Sequence, residues 1–186
     1  MTAILEKAKL WLGDTFDLET QAHVKDLISE NSNALTESFY KDLEFGTGGM
    51  RGIMGPGTNR INKYTLGKAT QGLANYLIQS FPGKDLSVAI AFDCRHNSQS
   101  LAKIVANVLS ASGIKVYLFE DLRPTPELSF SVKHLNCDAG IVLTASHNPP
   151  EYNGYKVYWN DGAQIVPPHD GNIIAEVNSL DYADIN

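Results

Sequence analysis

The 186-residue chain has 43% hydrophobic and 19% charged residues, which is the composition of an ordinary globular domain. Its net charge of −6, with no offsetting cluster of lysine and arginine, argues against a nucleic-acid-binding face, which must neutralise phosphates. The apolar runs are too short to cross a bilayer, the N-terminus lacks the apolar core of a secretion signal, and the two cysteines make no disulfide framework, so we expect a cytoplasmic protein without membrane partners.

Residues 1 to about 40 have the apolar periodicity of helices, as in the Leu5, Ala8, Leu12 series. The glycine-rich stretch FGTGGMRGIMGPGT, residues 45–58, predicts an extended segment that turns at Gly55-Pro56-Gly57. Another helical repeat follows, from Leu66 to Leu77.

Strands and helices then alternate along the chain. Apolar runs predict strands at 86–93, 115–120 and 139–145. The intervening helices are predicted to begin at Ser98 and at Thr125-Pro126, with Thr125 as the N-cap and Pro126 as the first helical position. This pattern predicts an α/β fold of three layers, α/β/α, around a largely parallel mixed sheet. The segment 154–160 alternates between polar and apolar residues, which predicts a strand at or near an edge.

Three polar loops follow the predicted strands, at 93–96, 123–126 and 144–148. Ligands of open α/β sheets bind outside the carboxyl ends of the strands, so we expect the three loops to meet at one rim and form a site. The sequence lacks a complete Walker A motif, a complete dinucleotide fingerprint, a zinc-ligand set and a G-x-S-x-G nucleophile motif.

The third loop carries Ser146 between an apolar strand and the pair Pro149-Pro150. A serine on such a stiff loop can carry a phosphoryl group, provided that cations absorb the spreading negative charge. His147, Lys156 and Arg51 are suitable by residue type. The alternative is an ordinary turn whose serine bonds nearby backbone, with a solvated lysine and an arginine in a surface ion pair.

Several segments together resemble the α-D-phosphohexomutase family. TASHNP (144–149) followed by YNGYK (152–156) is similar to its phosphoserine loop. FGTGGMRG (45–52), DCR (93–95) and PTP (124–126) match further segments in the same order. The most similar branch is the phosphoglucomutase/phosphomannomutase branch with an N-terminal helical extension.

The resemblance implies that this chain contains the first of four domains. It assigns residues 1–44 to the helical extension, 45–168 to domain I, and 169–186 to the start of a helical connection to a missing second domain. The polar ending DYADIN does not resemble a natural domain end, which favours a longer protein.

The same resemblance implies the roles of individual residues. Ser146 would be phosphorylated and would move a phosphoryl group between the 1 and 6 (or 5) hydroxyls of a sugar phosphate through a bisphosphate intermediate. His147 and Lys156 would supply acid–base and charge assistance, and Arg51 would reach the phosphoserine. The expected substrate-binding residues are Thr144, Asn148 and Arg95, although Arg95, like His96, is favoured more as a support of the loop.

The implied cofactors are Mg²⁺, held here only by the phosphate of modified Ser146, and a sugar bisphosphate as activator. The remaining metal ligands, an aspartate triad, would lie in a missing domain. The implied partners are a sugar phosphate and the remaining domains of the full-length chain, so we expect the isolated chain to be inactive. A non-catalytic phosphosugar- or partner-binding module remains the alternative, a phosphatase is less favoured, and the sugar itself stays open between glucose, mannose and a pentose.

Overall fold

The computed structural model describes residues 2–30 and 33–186. Its helices are α1 (Thr2–Leu10), α2 (Leu18–Glu30), α3 (Asn33–Phe39), α4 (Lys63–Ser80), α5 (Ser98–Ala111), α6 (Thr125–His134) and α7 (His169–Ser179). Its strands are β1 (Gly49–Ile53), β2 (Ser87–Phe92), β3 (Lys115–Leu118), β4 (Ala139–Leu143) and β5 (Tyr152–Trp159). The predicted N-terminal helices and the later alternation of strands and helices are confirmed for the described residues.

The strands form one mixed sheet in the order β1-β5-β4-β2-β3. β2 pairs in parallel with both β3 and β4, whereas β5 pairs antiparallel with β4 and with β1. The prediction of a largely parallel mixed sheet is therefore confirmed. Segment 154–160 lies near an edge, as predicted: β5 is second from the edge, because the glycine-rich segment supplies β1, which pairs outside it.

Helices cover both faces of the sheet. Along β2, Val88, Ile90 and Phe92 pack into the core under α4, α5 and α7. The alternate residues Ala89 and Ala91 pack against α6 on the opposite face. This alternation along a parallel strand confirms the three-layer α/β/α arrangement.

The beginnings of two helices show what local sequence specifies. Asn62 caps α4, because its side chain accepts hydrogen bonds from the Tyr64 and Thr65 amides while Thr65 bonds back to the cap. Thr125 is not the cap of α6, contrary to the prediction, because the helix already includes it and Pro124 is the N-cap. No side-chain hydrogen bond from that N-cap is found in the described structure.

The N-terminal helices enclose an apolar cluster of their own around Trp11 and Phe16. Tyr64 of α4 and Tyr182, from a short 3-10 helix (Tyr182–Asp184), pack their rings against both residues. The Asp17 carboxylate adds a polar contact, since it pairs with Lys63 at the start of α4. The helical extension is therefore docked on the α/β unit through aromatic rings and an ion pair.

The C-terminal segment also packs on the α/β unit. A Cβ built on Gly72 of α4 would lie 2.4 Å from Cγ2 of Val177, so α7 runs unusually close to α4. The boundary predicted at residue 168 stays a prediction. Within the described ranges no helix is long and apolar enough to span a membrane, and both cysteines are free.

Candidate active site

Ser146 lies just past the carboxyl end of β4, exposed to solvent and in a left-handed backbone conformation with φ of 55°. That conformation is uncommon for a residue with a side chain and is held by its neighbours. The Ser146 amide donates to Oγ1 of Thr144 at 3.0 Å, and the Asn148 amide donates to the Ala145 carbonyl at 3.0 Å. The serine hydroxyl is thereby presented to solvent by a turn with internal hydrogen bonds.

Lys156 faces the hydroxyl of Ser146. Its ammonium donates to Oγ of Ser146 at 2.7 Å. Lys156 sits in β5 opposite Val142 of β4, so the sheet register fixes its backbone beside the loop. A cation at this distance stabilises negative charge on the serine oxygen when a bond to it forms or breaks.

Arg51 brings a second cation to the same loop. It lies in β1 directly opposite Gly154 of β5, and its Nη1 donates to Oδ1 of Asn148 at 2.9 Å. The lack of a side chain at Gly154 allows β5 to lie this close to the Thr144 backbone, because a Cβ there would lie 2.6 Å from the Thr144 carbonyl oxygen. Arg51 and Lys156 thus project from the same face of the sheet toward the Ser146 loop.

Arg95 lies on the other side of the loop. Its guanidinium donates to the backbone carbonyls of Ser146, Asn148, Pro149 and Tyr152. It therefore contacts the loop through the main chain. Thr144, also predicted to bind substrate, is 6% exposed, and its hydroxyl oxygen accepts from the Ser146 amide. The assignment of Thr144, Asn148 and Arg95 to substrate binding stays a prediction.

A buried polar network that the sequence reasoning did not single out lies behind Arg95. Oδ1 of Asp93 accepts from the Arg95 amide and from Oγ of Ser98, each at 3.0 Å. Asn153, which is fully buried, donates through Nδ2 to Oγ of Ser98 and to the His96 carbonyl. The available signal was an asparagine directly before the predicted strand at 154–160, since an amide that becomes buried needs partners.

Two predicted features are not joined to Ser146 by hydrogen bonds. His147 is exposed, and among residues 2–30 and 33–186 its ring has no hydrogen-bond partner. The loop at 123–126 is at the rim, where the Arg123 amide donates to the Phe92 carbonyl. No hydrogen bond or ion pair links this loop to the Ser146 loop in the described residues. The first and third polar loops meet as predicted, and the second reaches the same rim beside the first loop.

The site is cationic although the chain carries a net charge of −6. A groove of about 510 Å³ adjoins Thr144, Arg51 and Lys156 and is lined also by the segment 46–49. Positive side chains around a solvent-exposed hydroxyl suit a phosphate group. The residues that the structure describes contain no cluster of histidine, cysteine and carboxylate side chains fit to hold a metal ion.

Comparison with known proteins agrees with this geometry. The family "Phosphoglucomutase/phosphomannomutase, alpha/beta/alpha domain I" matches residues 42–184. A human phosphopentomutase is 44% identical over 88% of this chain and 28% of its own length. A phosphoglucomutase of Staphylococcus epidermidis is 41% identical over 89% of this chain and 30% of its own length.

A solved structure shares the fold. A Thermus thermophilus protein assigned as a phosphomannomutase superposes with a TM-score of 0.67 and 32% identity, over 74% of this chain and 30% of that one. The chain spans less than a third of the length of these relatives. With a domain match that includes the strands, the Ser146 loop and Lys156, the chain belongs to the phosphoglucomutase/phosphomannomutase family and carries its α/β/α domain I.

Proposed function

We propose that the full-length protein is an intramolecular phosphotransferase in which Ser146 carries the phosphoryl group. The observation that carries the proposal is the 2.7 Å contact between the Lys156 ammonium and Oγ of an exposed serine. The left-handed backbone of Ser146 adds to it, since a strained, well-braced residue is typical of a functional site. Relatives named as phosphopentomutase and phosphoglucomutase support a sugar monophosphate as substrate.

The proposed reaction has two transfers at one oxygen. In the first, the bond between phosphorus and Oγ of Ser146 breaks as a bond forms to a free sugar hydroxyl, whose proton passes to a base. The resulting bisphosphate presents its other phosphoryl group, which returns to Oγ while a proton passes back to the released sugar oxygen, giving the isomeric monophosphate. The hydroxyls involved are the 1 and 6 positions of a hexose or the 1 and 5 positions of a pentose.

The described residues assist by position and charge. Lys156 stabilises Oγ while it is the leaving group and, in the second transfer, the nucleophile. Arg51 adds positive charge from β1 and fixes Asn148. His147 and Lys156 are the candidates for the base, and the pH–rate profile of each substitution distinguishes them.

Magnesium and a sugar bisphosphate activator belong to the same proposal. The described residues fit Mg²⁺ poorly by themselves, because they provide only the phosphate oxygens of modified Ser146 and Mg²⁺ prefers six oxygen ligands. The other protein ligands would come from further domains. Bound there, the ion would neutralise charge on the transferred group.

The test is the phosphorylation state of the full-length protein purified from its own cells without added sugar phosphate. We expect a mass well above 20.4 kDa and a phosphate on Ser146 that is lost when excess sugar monophosphate is added, with bisphosphate appearing. Ser146→Ala should abolish turnover, while Ser100→Ala, at another exposed serine, should not. A protein that keeps its turnover after Ser146→Ala would refute the proposal, and one that has neither turnover nor a phosphate on Ser146 would favour the binding-module alternative.

A further inference from the structure

We propose that Arg95 is a positioning residue that fixes the backbone of Ser146 for in-line transfer and does not bind substrate. The inference rests on the proposed role of Ser146 and deepens it. It assigns a defined task to the buried side of the loop, opposite the side where Lys156 meets the hydroxyl.

The guanidinium donors of Arg95 are taken up by the backbone of the Ser146 loop. Nη2 of Arg95 donates to the carbonyl of Ser146 at 2.8 Å and to that of Asn148 at 2.6 Å. Nη1 donates to the carbonyls of Pro149 at 2.9 Å and Tyr152 at 3.0 Å. Nε lies 3.6 Å from Oδ2 of Asp93. A guanidinium has five N–H groups in a rigid fork. Here the four terminal ones bond backbone carbonyls, and Nε is in an ion pair with Asp93.

The Arg95 side chain is largely shielded from solvent, with 11% of it exposed, whereas Ser146 is exposed. A substrate phosphate could bind Arg95 only by displacing carbonyls that would then lose their donors, which costs free energy. An arginine this little exposed, whose four Nη hydrogens bond carbonyls of residues 146–152, acts on substrate through that segment.

The Ser146 loop holds an unusual backbone conformation. Ser146 has a φ of 55°, a conformation that an isolated serine rarely adopts. Arg95 bonds the carbonyl of Ser146 itself, so it restrains the peptide plane that orients Oγ. In-line transfer depends on that orientation, and a shift of about 1 Å can cost about 10²-fold in rate.

Arg95 is itself held in place by a hydrogen-bond network. Its amide donates to Asp93, which also accepts from Ser98. Ser98 in turn accepts from the buried Asn153 of β5. The network joins the ends of β2 and β5, so the two strands on either side of β4 define the position of the loop that β4 carries.

The test compares Arg95→Lys with Arg123→Lys in the full-length protein. Lysine keeps the charge but cannot reach four carbonyls with one fork. Arg123 is the matched control, since it lies at the same rim but pairs with Glu127 and bonds the Leu122 carbonyl. We expect Arg95→Lys to lower kcat about 10²-fold with KM nearly unchanged, and Arg123→Lys to change neither.

Two further readouts separate positioning from general stability. Hydrogen exchange of the Ser146, Asn148 and Tyr152 amides should accelerate in Arg95→Lys while amides of β2 and β4 stay protected. The fraction of phosphoserine lost to water in place of sugar should rise, because a misaligned loop slows transfer to the sugar. Should Arg95→Lys fail to fold, Asp93→Asn, which weakens the anchor of the guanidinium, is measured in its place.

The outcomes distinguish this inference from the proposed function. A raised KM with unchanged kcat would overturn it in favour of substrate binding. An unchanged kcat and unchanged loop exchange would also overturn it. Ser146→Ala is assayed in parallel, and turnover that survives that substitution would refute the proposed function itself.

Discussion

At the scale of single residues, the contact between Lys156 and Ser146 governs the proposed chemistry. The ammonium lies 2.7 Å from Oγ, so its charge acts on the oxygen whose bond to phosphorus forms and breaks. We expect Lys156→Met to lower the single-turnover rate of phosphoryl transfer by about 10²–10³-fold, the range for removal of one such donor. The rate is measured by rapid quench in the full-length protein, starting from phosphorylated enzyme.

The matched control for that substitution is Lys103→Met, at an exposed lysine of α5. It removes the same charge and the same side-chain length away from the site. If the two variants have equal rates, Lys156 contributes no more to transfer than a lysine away from the site. That result would contradict its direct role at Oγ of Ser146.

The residues around Ser146 were largely predictable from sequence, but their bonding was not. Ser146, Lys156 and Arg51 stand out as residue types on a loop and strands that share a rim. The bonds from Arg95 to four carbonyls leave no sequence signal, because every residue has a carbonyl. The left-handed φ of Ser146 is equally hidden, since glycine or asparagine is the usual marker of that conformation.

At the scale of elements, glycines set how closely helices and strands approach. A Cβ on Gly140 of β4 would lie 2.4 Å from Cγ2 of Val132 on α6. A Cβ on Gly72 of α4 would meet Cγ2 of Val177 at 2.4 Å but also the Val177 amide nitrogen at 2.8 Å. The first contact is with the end of a side chain, and the second includes backbone.

This difference predicts which glycine substitution can be rescued. Gly140→Ala and Gly72→Ala should each cost about 1–3 kcal/mol in the free energy of unfolding. Combining Gly140→Ala with Val132→Ala should recover part of that cost, as a favourable coupling of at least about 0.5 kcal/mol. Gly72→Ala with Val177→Ala should show coupling near zero, because the backbone contact remains. Urea unfolding of the 186-residue chain measures both cycles, and equal couplings would contradict the geometry.

The docking of the N-terminal helices should depend on pH through Asp17. Partial burial works against ionisation of Asp17, but hydrogen bonds from Lys63, Tyr64 and Thr20 outweigh it and hold the pKa of this carboxyl well below its usual range. A depressed folded-state pKa contributes stability that is present above the unfolded pKa of about 4 and is lost as the pH falls through the folded pKa.

Asp17→Asn should therefore lower Tm by a constant amount from pH 7 down to about pH 5, and the difference from the parent should narrow at lower pH. Thermal unfolding of the 186-residue chain between pH 7 and pH 2 measures it. Asp14→Asn, at an exposed residue near the same turn, should leave Tm unchanged. A difference that is the same at pH 7 and pH 2 would mean that Asp17 acts by packing.

The order of elements and the place of β5 near an edge were predictable, but whether β5 or another strand forms the edge was not. Its alternation reflects two unlike faces: Tyr155 and Val157 pack into the main core, and Lys156 lies on the face toward the site. A half-exposed face and an edge position produce the same alternation, so sequence could not separate them. The pairing with β1 decides it, and β1 is hard to recognise because glycine is unfavourable in strands.

At the scale of the whole molecule, charge is distributed unevenly. The chain has a net charge of −6, yet Arg51, Arg95 and Lys156 converge on one loop. A local cationic rim on an acidic protein attracts a small anion at short range without favouring nucleic acid, whose binding needs an extended basic face. This arrangement fits a phosphosugar as ligand.

For the whole molecule we also expect that the purified 186-residue chain has no mutase turnover. Ser146 is exposed in this chain, whereas transfer needs the sugar hydroxyl held in line with the phosphorus in a site that excludes water. The chain also spans only 28–30% of the length of relatives named as mutases, and we propose that the surfaces that close the site belong to further domains. We expect its rate to equal that of the Ser146→Ala chain when both come from a host that lacks its own mutase. Turnover above that control would show that this domain alone orients the sugar and excludes water well enough for transfer.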